Sequence, residues 1–517
     1  LLPFDNKSEI QIVLDLQEGA TLEDAERTLF ALADAVREVE EVETIQVYAG
    51  TAAPFNFNGL VRHYFLRNSP ELGDLQVNLS EKTERSRDSH AIALELRELI
   101  HQIPLPEGAN VAVVEVPPGP PVIATLMAEI YGPTPEARRQ TAAIVRGFFE
   151  ETDFIVDVND SIGTPAPRLS VSVDEPRAAD FGVMQQDVAD TIAMVFSGQT
   201  AGVNPRGEGR DPININIRLP RSERSWTQEI NSIPVLRRLA EQGAAPVELG
   251  ELVNVSEEVG SPLIFRRDGY FTDMVMGELA GQYEAPIYGM FEIQDRIAEY
   301  DWAAAGLTAP AVSMYGQPED ETSPTILWDG EWEITYVTFR DMGLAFGVAL
   351  VGIYILVVAQ FGTFRVPLII LTPVPLTLIG IMIGHWLFGA AFTATSMIGF
   401  IALAGIIVRN SILLVDFVRH RQDENSPLRE VLLDAGAIRF KPIVLTALAA
   451  MIGAAVILTD PIFQGLAISL LFGLASSTAL TVLVIPAIYI ALRGPEWKMR
   501  VKSSEMSDES FEEEAAS

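Results

Sequence analysis

The chain has 517 residues, 48% hydrophobic and 21% charged, with 36 basic against 70 acidic side chains and a formal net charge of −34. Such acidity excludes nucleic-acid binding as a main task, because phosphate contacts need clustered Lys and Arg. No cysteine is present, which removes disulfide scaffolds, thiolate catalysis and cysteine-held zinc or iron–sulfur centres.

The charge is uneven: residues 342–492 are apolar and near neutral, and the acidity lies in residues 1–341 and the final stretch. The opening Leu1-Leu2-Pro3-Phe4, without initiator methionine or signal peptide, gives the expectation of a fragment or a split gene product.

In chain order, residues 9–16 alternate like a strand, and Glu18-Gly19 turns the chain. Thr21-Leu22-Glu23-Asp24 resembles a capping box opening a helix to about Val39. A strand at 44–49 follows, then a long loop, a strand at 75–79, a helix at 89–102 and a strand at 110–116. This β-α-β, β-α-β order predicts a ferredoxin-like unit. The pattern starts again with a strand at 125–131. Thr134-Pro135 then caps a helix running to about Glu151, and a strand covers 154–159. Its second half comes only after a gap, as a strand at 273–279, a helix at 285–299 and a strand at 311–315. The gap holds an insert with a strand at 169–173, a helix at 184–196 and an extended stretch at 212–219, bounded by Pro165, Pro167 and Pro262.

Five apolar stretches follow Asp341: 343–361, 366–388, 392–418, 443–459 and 466–492. Each is near or above the length that crosses about 30 Å of hydrocarbon. Basic residues cluster at Arg365, at Arg419 to Lys441, and from Arg493 onward, while the loops near 389–391 and 460–465 carry none. The positive-inside rule makes the basic loops cytoplasmic and puts residues 1–341 on the other side, in the bacterial periplasm. Pro373 and Pro375 predict a kink. Gly343, Gly347, Gly380, Gly384, Gly399, Gly405 and Gly473 read as close helix packing. The acidic end, with Glu512-Glu513-Glu514, reads as a disordered tail.

The expected fold is therefore α+β periplasmic ferredoxin-like subdomains with an inserted subdomain, followed by an all-α bundle of five transmembrane helices; the resemblance given next implies porter subdomains and a docking subdomain. The boundaries are 1–117 for the first porter subdomain, 118–167 and 260–341 for the two parts of the second, 168–259 for the insert, 342–495 for the bundle and 496–517 for the tail.

That order resembles the C-terminal half of a resistance–nodulation–division (RND) efflux transporter of the hydrophobe/amphiphile exporter type. Leu2 to Glu9 resembles the segment past the family's seventh helix. Gly405-Ile-Ile-Val-Arg-Asn-Ser-Ile-Leu-Leu-Val-Asp-Phe417 resembles its tenth-helix motif, and Arg439-Phe-Lys-Pro-Ile-Val-Leu-Thr446 the start of the eleventh. The resemblance implies proton-driven export, with no catalytic residues and no cofactor. It also implies a homotrimer in the inner membrane, a periplasmic adaptor, an outer-membrane channel and a missing N-terminal half that holds the relay aspartates.

Arg409 is the one charge deep in the five stretches, and an unpaired cation at mid-bilayer costs roughly 2.5–3.5 kcal/mol on insertion scales. The resemblance makes Arg409, Asn410, Arg439 and Thr446 relay residues. The family usually has Lys where Arg409 stands, and Arg acts only as a fixed counter-charge because it does not release its proton. Arg439 reads equally as a basic anchor at the cytoplasmic edge, and Asp416 as a solvated acid. The loop Ala53-Pro-Phe-Asn-Phe-Asn-Gly59 resembles the family's aromatic pocket loop, which makes Phe55, Phe57, Tyr64 and Phe65 candidate substrate contacts; packing within the loop is the competing reading. Met274, Met276, Met290 and Met314 read as core rather than as a copper(I) or silver(I) site, and His63, His90 and His101 show no metal spacing. The alternatives are an RND metal exporter and a non-transporting assembly or sensory subunit.

Overall fold

The computed structural model describes residues 5–54, 56–116, 122–163, 167–204, 213–220, 223–224, 226–237, 245–260, 263–281, 283–421 and 428–515, with the side chains of 167, 228, 428 and 492–515 outside the description. The chain forms two compact units, residues 164–262 and the remainder.

The first sheet has the strand order Val42–Ala49, Leu72–Leu79, Glu9–Asp15, Asn110–Val114. The order places the first strand of each β-α-β half at the centre, as the ferredoxin-like plan requires. Helix Leu22–Val36 begins at the expected box: Thr21 accepts from the Asp24 backbone while the Asp24 side chain accepts from the Thr21 backbone. Helix Ser89–His101 is capped by Asp88, whose carboxylate accepts from Ala91 N at 2.8 Å. Leu29, Leu32 and Val36 from one helix and Ile92 and Leu96 from the other bury their apolar stripes on Ile10, Ile12, Leu75 and Val77.

The second sheet has two strands beyond those expected: Phe265–Arg267 pairs with Tyr270–Leu279 at one edge, and the other lies deeper. Thr325–Gly330 lies between Leu126–Tyr131, to which it is antiparallel, and Ala311–Ser313, to which it is parallel. Its sequence carries no alternation because both faces are buried, and period-2 patterning marks only half-buried strands. Trp328, fully buried, stacks near Phe149 with ring centroids 6.3 Å apart. Met290 belongs to this core and Met314 packs against it, as the sequence reading holds.

The smaller unit pairs Pro167–Val173 with Val253–Val259 and holds its own core around Val183, Val188, Leu249 and Leu252. The expected insert, 168–259, falls inside it. A hairpin of Gln199–Val203 and Asn214–Ile217 exposes Val203, Ile213, Ile215 and Ile217.

Five helices are long and apolar enough to cross a membrane: Glu331–Phe361, Arg365–Phe388, Ala394–Arg421, Arg429–Ala455 and Gln464–Ala491; they are called the first to fifth spans below. The first helix starts at Glu331, ahead of the expected Gly343, because Trp332, Tyr336 and Arg340 form an amphipathic collar. Such aromatic residues suit a membrane interface. The fourth likewise begins ahead of Ile443, running through its charged end and Pro442. The second breaks at Thr372, just before Pro373, where the kink is expected. The backbone of the last helix continues to Ala515, through the segment expected as a disordered tail.

Close packing sorts the glycines. A methyl on Gly384 would lie 2.6 Å from the Phe472 ring, and one on Gly399 2.7 Å from Ser469 Cβ. Gly343, Gly347 and Gly405 have nothing within 4 Å; the packing role read for them has no partner among the described residues.

Candidate functional site

The loop after strand Val42–Ala49 is held by buried polar groups. Asn56 caps the short helix Phe57–Val61, accepting from Gly59 N at 2.6 Å and donating to Gln11 Oε1 at 3.2 Å. Ala53 N donates to Asp74 Oδ2 at 2.9 Å. Arg67 donates to the Leu14 carbonyl at 2.7 Å and pairs with Asp15 at 2.6 Å and Asp74 at 3.1 Å. Burial pushes the Asp74 carboxyl up and the Arg67 charge opposes that shift. Arg62 pairs with Glu278 of the second sheet at 2.8 Å, and Thr125 donates to the other Glu278 oxygen.

This frame holds apolar side chains in water. Phe57 is 44% and Phe65 42% exposed, beside exposed Leu60 and Leu66, so the loop presents apolar surface to solvent. Tyr64 sits differently from expectation. It is half-buried, and the Arg67 guanidinium lies 5.6 Å from its ring centroid. Burial pushes its phenol up. Tyr64 braces the loop rather than lining a surface. Phe55 lies outside the described residues.

The two ferredoxin-like subdomains meet along a polar seam. Arg97 pairs with Asp157 at 3.0 Å and donates to the Val113 carbonyl at 2.8 Å. Asn110 donates to the Val158 carbonyl at 3.0 Å, and Asn159 to Asp15 at 3.2 Å. His90 bridges Glu115 at 2.9 Å and Glu284 at 3.0 Å. Burial alone would lower this imidazole, but the two carboxylates overcome that and push it up to about 10. Nothing local in the sequence marks Arg62, Arg67, Arg97 or His90, because their partners lie far along the chain. The one available signal is chemical: cations are scarce in this acidic stretch.

Below the seam, Asp5, Asp88, His90 and Glu284 line a cavity of about 350 Å³ together with Ala390 and Gln464. The two loops without Lys or Arg therefore lie at the end of the bundle that carries the large α/β half.

Arg409 lies on an exposed stripe of the third span with Ile398, Ala402, Gly405 and Leu413, while Phe400, Leu403, Ile407, Ser411 and Leu414 of the same helix are buried. No acid pairs with Arg409 among the described residues, and neighbouring Asn410 is half-buried. Thr446 is exposed on the fourth span and donates back to the Pro442 carbonyl at 2.8 Å. Arg439 sits 5.2 Å from the Phe417 ring centroid and Arg421 5.3 Å. Among the described residues no hydrogen bond joins the four expected relay residues to one another. Among the described residues the Asp416 carboxylate meets only His420, at 3.5 Å.

No group of three His, Asp or Glu with metal-holding geometry occurs among the described residues. Met276 pairs with Met127 across neighbouring strands, and Met274 lies on the same face two residues along.

A family model described as the AcrB/AcrD/AcrF family matches residues 1–298 and 316–493. The chain belongs to this family. The RND likeness read from the motifs thereby holds. The chain is similar to the swarming motility protein SwrC of Bacillus subtilis, at 23% identity over 95% of this chain and 43% of the relative. It is similar to the cobalt-zinc-cadmium resistance protein CzcA of Cupriavidus metallidurans, at 25% over 70% and 32%. The multidrug resistance protein MdtC of Erwinia amylovora is 24% identical over 70% and 34%. The fold matches a solved heavy metal efflux pump with a TM-score of 0.77, over 96% of this chain and 48% of that one at 21% identity. The chain spans less than half the length of these curated relatives.

Proposed function

We propose that this chain supplies half of a proton-driven exporter of amphiphilic compounds in a bacterial inner membrane. The observation that carries the reading is Arg409: a guanidinium midway along an apolar helix, facing outward, without an acid among the described residues. Such a charge is stable in a bilayer only against an anion or water. An exposed stripe ending its search for a partner at Arg409 is suited to a second group of helices bearing carboxylates. Protonation of those carboxylates weakens the pair, and the helices shift; the energy available is limited to the difference in affinity between the two states. Asn410 and Thr446 add polar contacts along the same path, and Arg439 holds the basic edge.

Export requires a ligand surface, and the Phe57–Leu66 loop supports an apolar one. Aromatic faces accept varied amphiphiles and cations without strict geometry. The lack of basic residues in the loops beside the α/β half supports a periplasmic location for that half and a cytoplasmic C-terminus. The exposed apolar hairpin at 199–217 supports assembly, as a trimer that docks an adaptor and an outer-membrane channel, because patches of this kind mark contact sites.

A second reading is metal export. It is favoured by the face shared by Met127, Met274 and Met276, since thioethers bind soft monovalent ions, and by the names of CzcA and of the solved pump. Deleting the gene separates the two. Loss of resistance to cationic amphiphiles supports the first reading, and sensitivity confined to metal ions, with copper, silver, cobalt, zinc and cadmium all tried, supports the second. Unchanged resistance to both would leave a non-transporting subunit.

A further inference from the structure

A group of carboxylates stands apart from the relay, at the joint between the second sheet and the first span. Glu129, on strand Leu126–Tyr131, is 1% exposed, and Asp329, on strand Thr325–Gly330, is 5% exposed. Their strands are antiparallel neighbours in which Leu327 opposes Glu129 and Asp329 opposes Met127. Period-2 geometry puts both carboxyl groups on one face. There both carboxyl groups face one guanidinium, that of Arg267, and Glu333 follows in the first turn of the helix.

Two carboxyl groups buried side by side can bond to each other only if one of them carries a proton, because ionised carboxylates have acceptors alone. The surroundings agree. Among the described residues Arg267 is the one cation that pairs with this group, 3.1 Å from Glu129 and 2.5 Å from Asp329. Against it stand Glu129, Asp329, Glu333 and Asp268. Tyr131 donates to Glu129 at 2.6 Å, and Gln317 donates to the Tyr131 hydroxyl at 3.2 Å and to Asp268 at 3.0 Å. The strand on the other side presents uncharged Met274 opposite Glu129. One guanidinium does not balance two buried anions and their acidic neighbours. Burial, then the neighbouring Asp329 carboxyl, pushes the Glu129 carboxyl up to about 8.

The position gives the proton something to act on. Asp329 is followed by Gly330, at φ 78°, where a Cβ would sit 2.5 Å from the Ala124 carbonyl. Glu331 N then donates to the Thr125 carbonyl at 3.1 Å, and the 31-residue first helix begins. Only 6% of that helix's most apolar window is buried, against 50% for the second and third spans. The joint is the point at which the sheet holds this helix, while Val357 and Phe361 pack into the bundle core at its other end.

We propose that Glu129 and Asp329 hold one proton between them, and that losing it loosens the joint by which the second porter subdomain holds the first span. The proton leaves to water past the half-exposed Arg267, and like-charge repulsion between the two strands follows.

The test is hydrogen exchange of the purified full chain in detergent micelles from pH 6 to 9, corrected for intrinsic base catalysis. In wild type, protection of residues 325–340 falls by about tenfold across that range, which is within the linkage limit for one proton. Glu129→Gln and Asp329→Asn each flatten the profile, and Glu333→Gln leaves it. A flat wild-type profile, or an unchanged slope in folded Glu129→Gln, overturns the proposal. Infrared spectra of wild type with ¹³C-labelled glutamate give a reading independent of variant folding. A protonated glutamate carbonyl band present at pH 6 and lost by pH 9 is expected, and it survives Glu333→Gln. Absence of the band, or its loss in Glu333→Gln, overturns the proposal.

Discussion

Arg62 and Glu278 form an ion pair of 2.8 Å that joins the aromatic loop of the first subdomain to the central strand of the second. The side chains are 11% and 13% exposed, so each is costly to leave alone. Arg62→Met should lower stability by about 3–5 kcal/mol, the range for breaking a buried pair from one side. Arg62→Met with Glu278→Leu should recover much of that loss. Thermal melts of the purified chain check both, and a double variant no better than the single would contradict the pairing.

Phe57 and Phe65 are exposed, so truncating them should spare the fold. Each alanine change should weaken binding of a fluorescent cationic amphiphile by about 0.5–1.5 kcal/mol, roughly two- to tenfold, with Tm unchanged. Tyr64→Ala should instead lower Tm, through the ring's lost contact with the Arg67 guanidinium.

His90 carries a pH signature. Its folded value is near 10, above the unfolded value of about 6.5. The folded state therefore binds the extra proton between those limits. The stabilisation is complete below about pH 6.5 and is lost as pH rises through 10. His90→Gln should flatten the stability profile from pH 7 to 10 in chemical denaturation.

Two glycines that look alike in sequence should behave differently. Gly384→Val forces a side chain against Phe472 and should cost about 1–3 kcal/mol by overpacking. Gly405→Val meets open space within this chain and should leave the melt unchanged. Its effect should appear in the assembled transporter, since Gly405 lies one turn from Arg409 on the same face.

The spans were legible because length and apolarity act over single segments. The ferredoxin-like order was legible for a similar reason: Thr21 and Asp24, Thr134 and Pro135, and the alternating strands are local signals. Strand Thr325–Gly330 was not, because a strand buried on both faces loses its period and reads as a prelude to the helix behind it. The charged seam was hidden further. Arg62 and Glu278 are joined by tertiary packing alone, and a scattered acid or base in sequence looks the same whether solvated or buried. Arg409 shows the opposite case, since an apolar helix makes a single charge conspicuous without showing what answers it.

The most direct measurement is proton-coupled efflux in proteoliposomes holding the complete transporter that contains this chain, under an imposed pH gradient. Arg409→Ala should reduce gradient-driven export of a cationic amphiphile to background while binding of that compound persists. Arg409→Lys should retain export. Gradient-driven export at the wild-type rate in Arg409→Ala would contradict the account.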